Sequence, residues 1–300
     1  MKWIRRIGLV VVLLLLVVGV GAASVYVMSE SRLSEAYALP DEAPLAAVSD
    51  SAALARGQHL AVSIAKCVDC HGDNLGGGVV IDAPPLGHVE ATNLTTGRGG
   101  VLAAYDDAAL ERAIRHGVAI DGRNLLIMPS RDYNHLSDED VAALIAYLRS
   151  RPAVDQVRGR STIGPVIRAM WVAGKAQPAS STIIAHAAPH LRVTPLGNTE
   201  TAGRYIAENG CAGCHGDGYS GGAIPGTPPD WKPASNLTPT GIGHYSLADF
   251  SRILREGKRP DGTVVDTLMP VKATRHMSDE EIESVFKFLR TVPSKPFGRR

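Results

Sequence analysis

The chain has 300 residues, 45% hydrophobic and 20% charged, the balance of a folded protein with enough length for two domains and two cores. Against 30 acidic residues stand 31 basic ones, and a formal charge of +1 gives no footprint for nucleic acid. Aromatic residues make up only 5%, so a large apolar cofactor is one way to fill the interior.

Lys2, Arg5 and Arg6 precede an unbroken apolar run from Ile7 to Met28, ended by Ser29 and Glu30. As a helix rising about 1.5 Å per residue, this run covers roughly 33 Å, enough for the hydrocarbon core of a bilayer. The basic cluster in front places the N-terminus in the cytoplasm and the rest outside it. A cleaved signal peptide is the rival, with Gly21-Ala22-Ala23-Ser24 as a peptidase site. The run is longer than a secretory apolar region of about 7–15 residues, which favours a retained anchor over residues 1–30. Both readings export the remainder of the chain. Residues 31–50, with Pro40 and Pro44, read as a spacer.

From residue 51 the chain repeats itself, 51–152 matching 197–295. Lys66-Cys67-Val68-Asp69-Cys70-His71-Gly72-Asp73 aligns with Gly210-Cys211-Ala212-Gly213-Cys214-His215-Gly216-Asp217. Asn93-Leu94-Thr95 aligns with Asn236-Leu237-Thr238, Arg115-His116-Gly117 with Arg255-Glu256-Gly257, and Met128-Pro129 with Met269-Pro270. Each copy reads as helices joined by Gly- and Pro-rich loops, an all-α architecture without the sustained alternation of a sheet protein. In the first copy, Leu54, Leu60, Ala61 and Ile64 have helical spacing before the cysteines. Asp106 is placed to cap a helix that stops at Gly117, and Ser246-x-x-Asp249 opens its counterpart, which stops at Gly257. The final helices start at Ser137 and Ser278, and Pro152 and Pro293 close the units. Between them, residues 153–196 form a connector whose stretch from Pro165 to Gly174 predicts one short helix.

All four cysteines fall in two Cys-x-x-Cys-His motifs, Cys67, Cys70, His71 and Cys211, Cys214, His215. Two thiols on one tight turn can each add to a haem vinyl group while the next imidazole reaches the iron. A disulfide or thioredoxin-like site would leave both histidines unexplained. A zinc ribbon needs its second cysteine pair much nearer, about 15–20 residues on. The pattern therefore predicts two covalently bound haem c groups, with His71 and His215 as iron ligands.

An electron-transfer haem has a second protein ligand, and a thioether opposite histidine raises the potential. Met128 and Met269, each followed by proline, hold equivalent places in the repeat and are the candidates. His135 and His276 also coincide, which keeps bis-histidine ligation as an alternative. His88, His116 and His244 have no partner in the other copy and read as solvated or core histidines.

These motifs resemble class I cytochrome c domains. Asn236-Leu237-Thr238-Pro239 with Thr240-Gly241-Ile242-Gly243, then Ser246, Phe250 and Arg255-x-Gly257, is similar to the cytochrome c subunits of bacterial membrane-bound alcohol, gluconate and aldehyde dehydrogenases. Asn93-Leu94-Thr95-Thr96-Gly97 is a weaker version in the first copy. Many such subunits carry three haem domains; two are visible here. The resemblance implies two tandem cytochrome c domains behind one transmembrane helix, with the haem domains on the periplasmic side of the cytoplasmic membrane. It implies single-electron transfer between a dehydrogenase or other donor and the respiratory chain. The partners implied are a periplasmic dehydrogenase, a soluble cytochrome, a quinone-linked complex or an oxidase. The chain then acts as a carrier or as the cytochrome subunit of an oxidoreductase complex. A diheme peroxidase is the enzyme alternative, and it would need one haem lacking its second ligand.

Overall fold

The structure is a computed structural model that describes residues 2–37, 39–40, 44–225, 227 and 231–300. Of the expected spacer, residues 38 and 41–43 lie outside the described residues.

Helix α1 (Lys2–Leu33) has a mean hydropathy of 2.8 over its most apolar window, and none of that window is covered by the rest of the chain. Side chains this apolar, left bare all round, suit lipid as the solvent. Among the described residues it is the one helix long and apolar enough to cross a membrane. It does not stop where the apolar run stops. The Arg168 guanidinium donates to Ser29 Oγ at 2.7 Å, pairs with Glu30 at 2.9 Å and lies 4.5 Å over the Tyr26 ring. Arg32 reaches back to the Trp171 carbonyl at 2.8 Å, and Asn124 donates to the Leu33 carbonyl at 2.9 Å. The end of α1 is thus fastened to the connector and to the first repeat.

The first repeat comprises α2 (Ser51–His59), a π-helical turn (Leu60–Ile64), α3 (Cys67–His71), α4 (Asp107–His116), α5 (Ser130–Tyr133) and α6 (Asp138–Arg149). After α6 comes connector helix α7 (Pro165–Val172), started by Pro165 in the position where a missing N–H costs nothing. The second repeat holds α8 (Glu200–Gly210), α9 (Ala212–His215), α10 (Pro239–Ile242), α11 (Leu247–Glu256), α12 (Val271–Thr274) and α13 (Asp279–Thr291).

The capping residues act as the sequence predicts. Asp106 Oδ1 accepts from the Ala109 N–H at 2.8 Å, and Ser246 with Asp249 forms a reciprocal capping box. Gly117 and Gly257 close α4 and α11 at φ 66° and 71°, the left-handed region where glycine carries no Cβ penalty. Ser278 and Glu281 box the start of α13. At the start of α6 Ser137 caps alone, because Asp140 is turned inward to Arg56 and Tyr205.

In each repeat the first and last helices cross at a glycine. A Cβ on Gly57 would collide with the Ala143 carbonyl, and one on Gly203 with the Ser284 carbonyl. The two cores merge into one apolar cluster running from Leu60 and Leu144 to Tyr205, Phe286 and Leu289.

The all-α expectation holds with one addition. Strands β1 (Gly78–Ala83), β2 (Gly87–Ala91) and β3 (Thr162–Ile163) form a small antiparallel sheet in that order. Its strands are too short for alternation to register in sequence, and a register shift between Val79 and Ile81 breaks the period. In the second repeat, among the described residues, the single bridge Gly222–Ala234 stands at the corresponding place.

Gly57→Ala and Gly203→Ala are each expected to cost about 1–3 kcal/mol by forcing the paired helices apart. Thermal unfolding followed by circular dichroism checks this, and an unchanged midpoint in both variants would contradict the close crossing.

Candidate haem sites

Each cysteine motif begins a tight turn whose exit is fixed by glycine. Gly72 and Gly216 follow the histidines at φ 77° and 81°, so the chain doubles back at a point where other residues are strained. The return is sealed by the Gly77 N–H on the His71 carbonyl at 2.8 Å and the Gly221 N–H on the His215 carbonyl at 2.9 Å.

The loop beyond then fixes the imidazole. His71 Nδ1 donates to the Thr92 carbonyl at 2.7 Å, and His215 Nδ1 to the Ser235 carbonyl at 2.8 Å. A carbonyl only accepts, so the proton belongs on Nδ1 and the lone pair on Nε2. Burial pushes both imidazoles below their ordinary pKa, against the small opposing effect of these bonds. A neutral imidazole with its Nδ1 already committed is a prepared metal ligand.

That carbonyl-bearing loop is itself pinned by Asn-Leu-Thr. Asn93 Oδ1 accepts from the Thr95 N–H at 3.0 Å and its hydroxyl at 2.8 Å, while Nδ2 donates to the Val154 carbonyl at 2.7 Å. Asn236 repeats the pattern with Thr238 at 2.9 and 2.8 Å and the Lys295 carbonyl at 2.8 Å. The middle leucines, Leu94 and Leu237, donate their N–H groups to the Leu75 and Tyr219 carbonyls at 2.7 Å each. The segments behind the final helices therefore fold back over the motifs.

Each cavity also takes in a methionine. Met128 lies with Cys67, Cys70 and His71 around a cavity of about 270 Å³ walled by Leu94, Leu110, Ile114 and Leu148. Met269 lies with Cys211, Cys214 and His215 around one of about 410 Å³ walled by Leu237, Ile242, Phe250 and Leu254. The arginines before the helix-ending glycines tie α4 and α11 to the starts of the final helices. Fully buried Arg115 bonds Glu111 at 2.9 Å and Asp138 at 2.8 Å, and Arg255 donates to the Arg275 carbonyl at 2.9 Å.

All eight residues singled out in the sequence come together at these two cavities. His135 and His276 do not: both are exposed and line other surface depressions. His88 pairs with Glu90 at 2.8 Å, His116 is buried 3.0 Å from His186, and His244 meets the Tyr245 ring edge-on.

Sequence reasoning missed the connector's part in the first site. The Ser180 hydroxyl donates to the Met128 carbonyl at 2.6 Å, and the Ile127 N–H to the Pro178 carbonyl at 2.6 Å. Ile127 is held at φ 63°, a costly conformation for a β-branched residue that its surroundings impose. No motif marks Ser180 in the sequence.

The residues fit a c-type haem. Each cavity is apolar, with two thiols on one turn, an oriented neutral imidazole and a thioether in its wall. Burial raises the Cys67 thiol to about 12 and the Cys211 thiol to about 11, so both stay protonated and behave as small apolar groups in the unloaded chain.

Comparison with known proteins agrees. Residues 52–148 match the family described as cytochrome c oxidase, cbb3-type, subunit III, and residues 200–293 match the family described as cytochrome c. The chain is 28% identical over 284 residues to the fructose dehydrogenase cytochrome subunit of Gluconobacter japonicus, covering 84% of this chain and 55% of that one. It is 28% identical over 275 residues to the gluconate 2-dehydrogenase cytochrome c subunit of Pantoea cypripedii, covering 82% and 61%. It is 25% identical to the alcohol dehydrogenase (quinone) cytochrome c subunit of Gluconobacter oxydans, covering 83% and 57%. The chain thus spans less than two thirds of the length of these relatives. Both halves are cytochrome c domains, and domains of this kind bind haem c.

Asn93→Ala strands the fully buried Thr95 donors and is expected to cost about 1–3 kcal/mol. Asn236→Ala, at a less buried position, is expected to cost less. Thermal melts of the two haem-loaded variants check the order.

Proposed function

We propose that this chain is a diheme c-type cytochrome that carries single electrons on the periplasmic side of the cytoplasmic membrane, between a dehydrogenase or other donor and the respiratory chain. The observation that carries this reading is the twofold assembly of a cysteine pair, an Nδ1-anchored histidine and a methionine around an apolar cavity.

Cys67 and Cys70, and Cys211 and Cys214, would hold the porphyrin through thioether bonds. His71 and His215 would offer Nε2 to the iron, and Met128 and Met269 a thioether sulfur. When bound, haem supplies the Fe(III)/Fe(II) couple. With histidine and methionine available from the chain in each cavity, the protein's work would be to hold, orient and insulate the redox centre. The same methionine in both cavities supports a carrier over a peroxidase, which requires one vacant iron position.

Domains over residues 51–152 and 197–295, joined by the connector 153–196, form the exported part. Helix α1 is the single-pass anchor, and Lys2, Arg5 and Arg6 keep its start in the cytoplasm. The relatives named as cytochrome subunits of fructose, gluconate and alcohol dehydrogenases support a dehydrogenase of that kind as donor. A soluble cytochrome, a quinone-linked complex or an oxidase would receive the electrons.

Protein matured in a host competent for haem attachment is expected to retain two haems per chain after denaturation and acid-acetone extraction, read as the pyridine haemochrome. Replacing Cys67 and Cys70 with Ser should leave one. Loss of all chromophore from the unmodified chain would refute the proposal.

Met128→Ala and Met269→Ala are each expected to lower the midpoint potential of one haem while both remain attached. Optically monitored redox titration reads this, and two unmoved potentials would remove the methionines as ligands.

A further inference from the structure

The two cavities meet at one residue. Lys66 and Gly210 hold equivalent places, each immediately before the first cysteine of its motif. In the fold these two positions touch: Lys66 Nζ donates to the Ile64 carbonyl at 2.8 Å and to the Gly210 carbonyl at 3.1 Å. Lys66 borders the cavity of Cys67 and His71 and also that of Cys211 and His215.

The backbone is specially built to put it there. Gly57 and Gly203 make the same helix crossing in the two repeats, yet Gly57 stands ten positions before Cys67 and Gly203 only eight before Cys211. The first repeat absorbs its extra residues in the π-helical turn Leu60–Ile64, and Lys66 then takes a left-handed conformation at φ 55°. Both features are uncommon, and both are absent from α8 and Cys211 in the second repeat. Together they place a half-buried cation at the junction of the repeats.

Among the described residues no carboxylate meets the charge at contact distance: none forms an ion pair with Lys66 within 4 Å, and its partners are the two carbonyls. Asp132 and Asp69 are the nearby acids. Burial raises the Asp132 carboxyl to about 6, with Lys66 and Arg131 pulling it back down. Burial likewise raises Asp69, opposed by Lys66 and Lys272.

We propose that Lys66 is a shared electrostatic element of both redox sites, a single ammonium whose field raises the two haem potentials together. Reduction adds an electron to each site, so a nearby positive charge favours the reduced form at both. Partial burial limits the screening that would mute an exposed lysine. This inference rests on the diheme reading.

The test is a redox titration of the full-length, haem-loaded protein, with both midpoints resolved optically, for unmodified chain, Lys66→Gln, Lys66→Met and Lys66→Arg. Glutamine can still donate to the carbonyls but carries no charge; arginine keeps the charge. Both midpoints are expected to shift downward in the neutral variants and to stay near their original values in Lys66→Arg. A shift at one haem alone, or at neither, would overturn the proposal. So would loss of haem from both neutral variants while Lys66→Arg keeps it, since Lys66 would then serve structure rather than potential. The pyridine haemochrome of the unmodified chain separates these outcomes from failure of the diheme reading itself.

Discussion

An imidazole can present one nitrogen to a metal reliably only if its other nitrogen is already engaged, and both cavities are organised around meeting that condition. The acceptors are the backbone carbonyls of Thr92 and Ser235, about twenty residues beyond the histidines. A backbone carbonyl is only as fixed as its loop. Hence the Asn-Leu-Thr clamp, which ties the loop to the segment behind the last helix, and hence the glycines after each histidine that let the chain reach it. The helices supply walls and the cores supply stability, but ligand direction is set by these short loops.

Duplication explains why the same devices occur twice, and the junction shows how the copies are kept in register. Arg131 pairs with Asp217 at 2.7 Å, and the equivalent Lys272 faces Asp73 at 3.4 Å. These exposed pairs obey the pseudo-symmetry and contribute about 0–1 kcal/mol each. Closer to the centre the contacts are more buried, and equivalent positions carry different residues, Tyr205 with Asp140 and His59 with Glu281. Asp140, 1% exposed, accepts from Arg56 and from the Tyr205 hydroxyl at 2.7 Å each, and His59 meets Glu281 at 2.8 Å. Buried polar pairs of this kind fix one arrangement more than they add stability, because each misplaced partner would strand a charge. A defined junction keeps the two cavities in one fixed relation.

Much of this was legible in the sequence because the features concerned are local. The cysteine motifs, the capping residues Asp106, Ser246 and Ser278, the stops at Gly117 and Gly257 and the repeated Met-Pro act within a few residues of themselves. What escaped is set by contacts far apart in the chain. The small sheet has strands too short to show a period, and β3 comes from the connector. The end of α1 is gripped by Arg168 of the connector, more than 130 residues away, a contact that no local pattern announces. The π-helical turn leaves no compositional trace; the extra residues before Cys67 become visible only once Gly57 and Gly203 are seen to make the same crossing.

The two cavities hold the same four residue types yet differ in what surrounds them. Around Met128 the connector forms a second layer: Ser180 and Pro178 hold the loop, Ile127 is forced into an unfavourable conformation, and Asn124 ties the same stretch to the end of α1. Met269 has no such cover among the described residues. Its N–H bonds only to the Asp266 carbonyl at 3.0 Å within its own loop, and Val264 on the approach is 67% exposed. Cys214 is exposed where Cys70 is half-buried. Solvent access and dielectric are among the means by which a protein sets haem potential at constant ligation. The same four residue types therefore stand in unequal surroundings, one set braced by the connector and the end of α1 and the other without that second layer among the described residues.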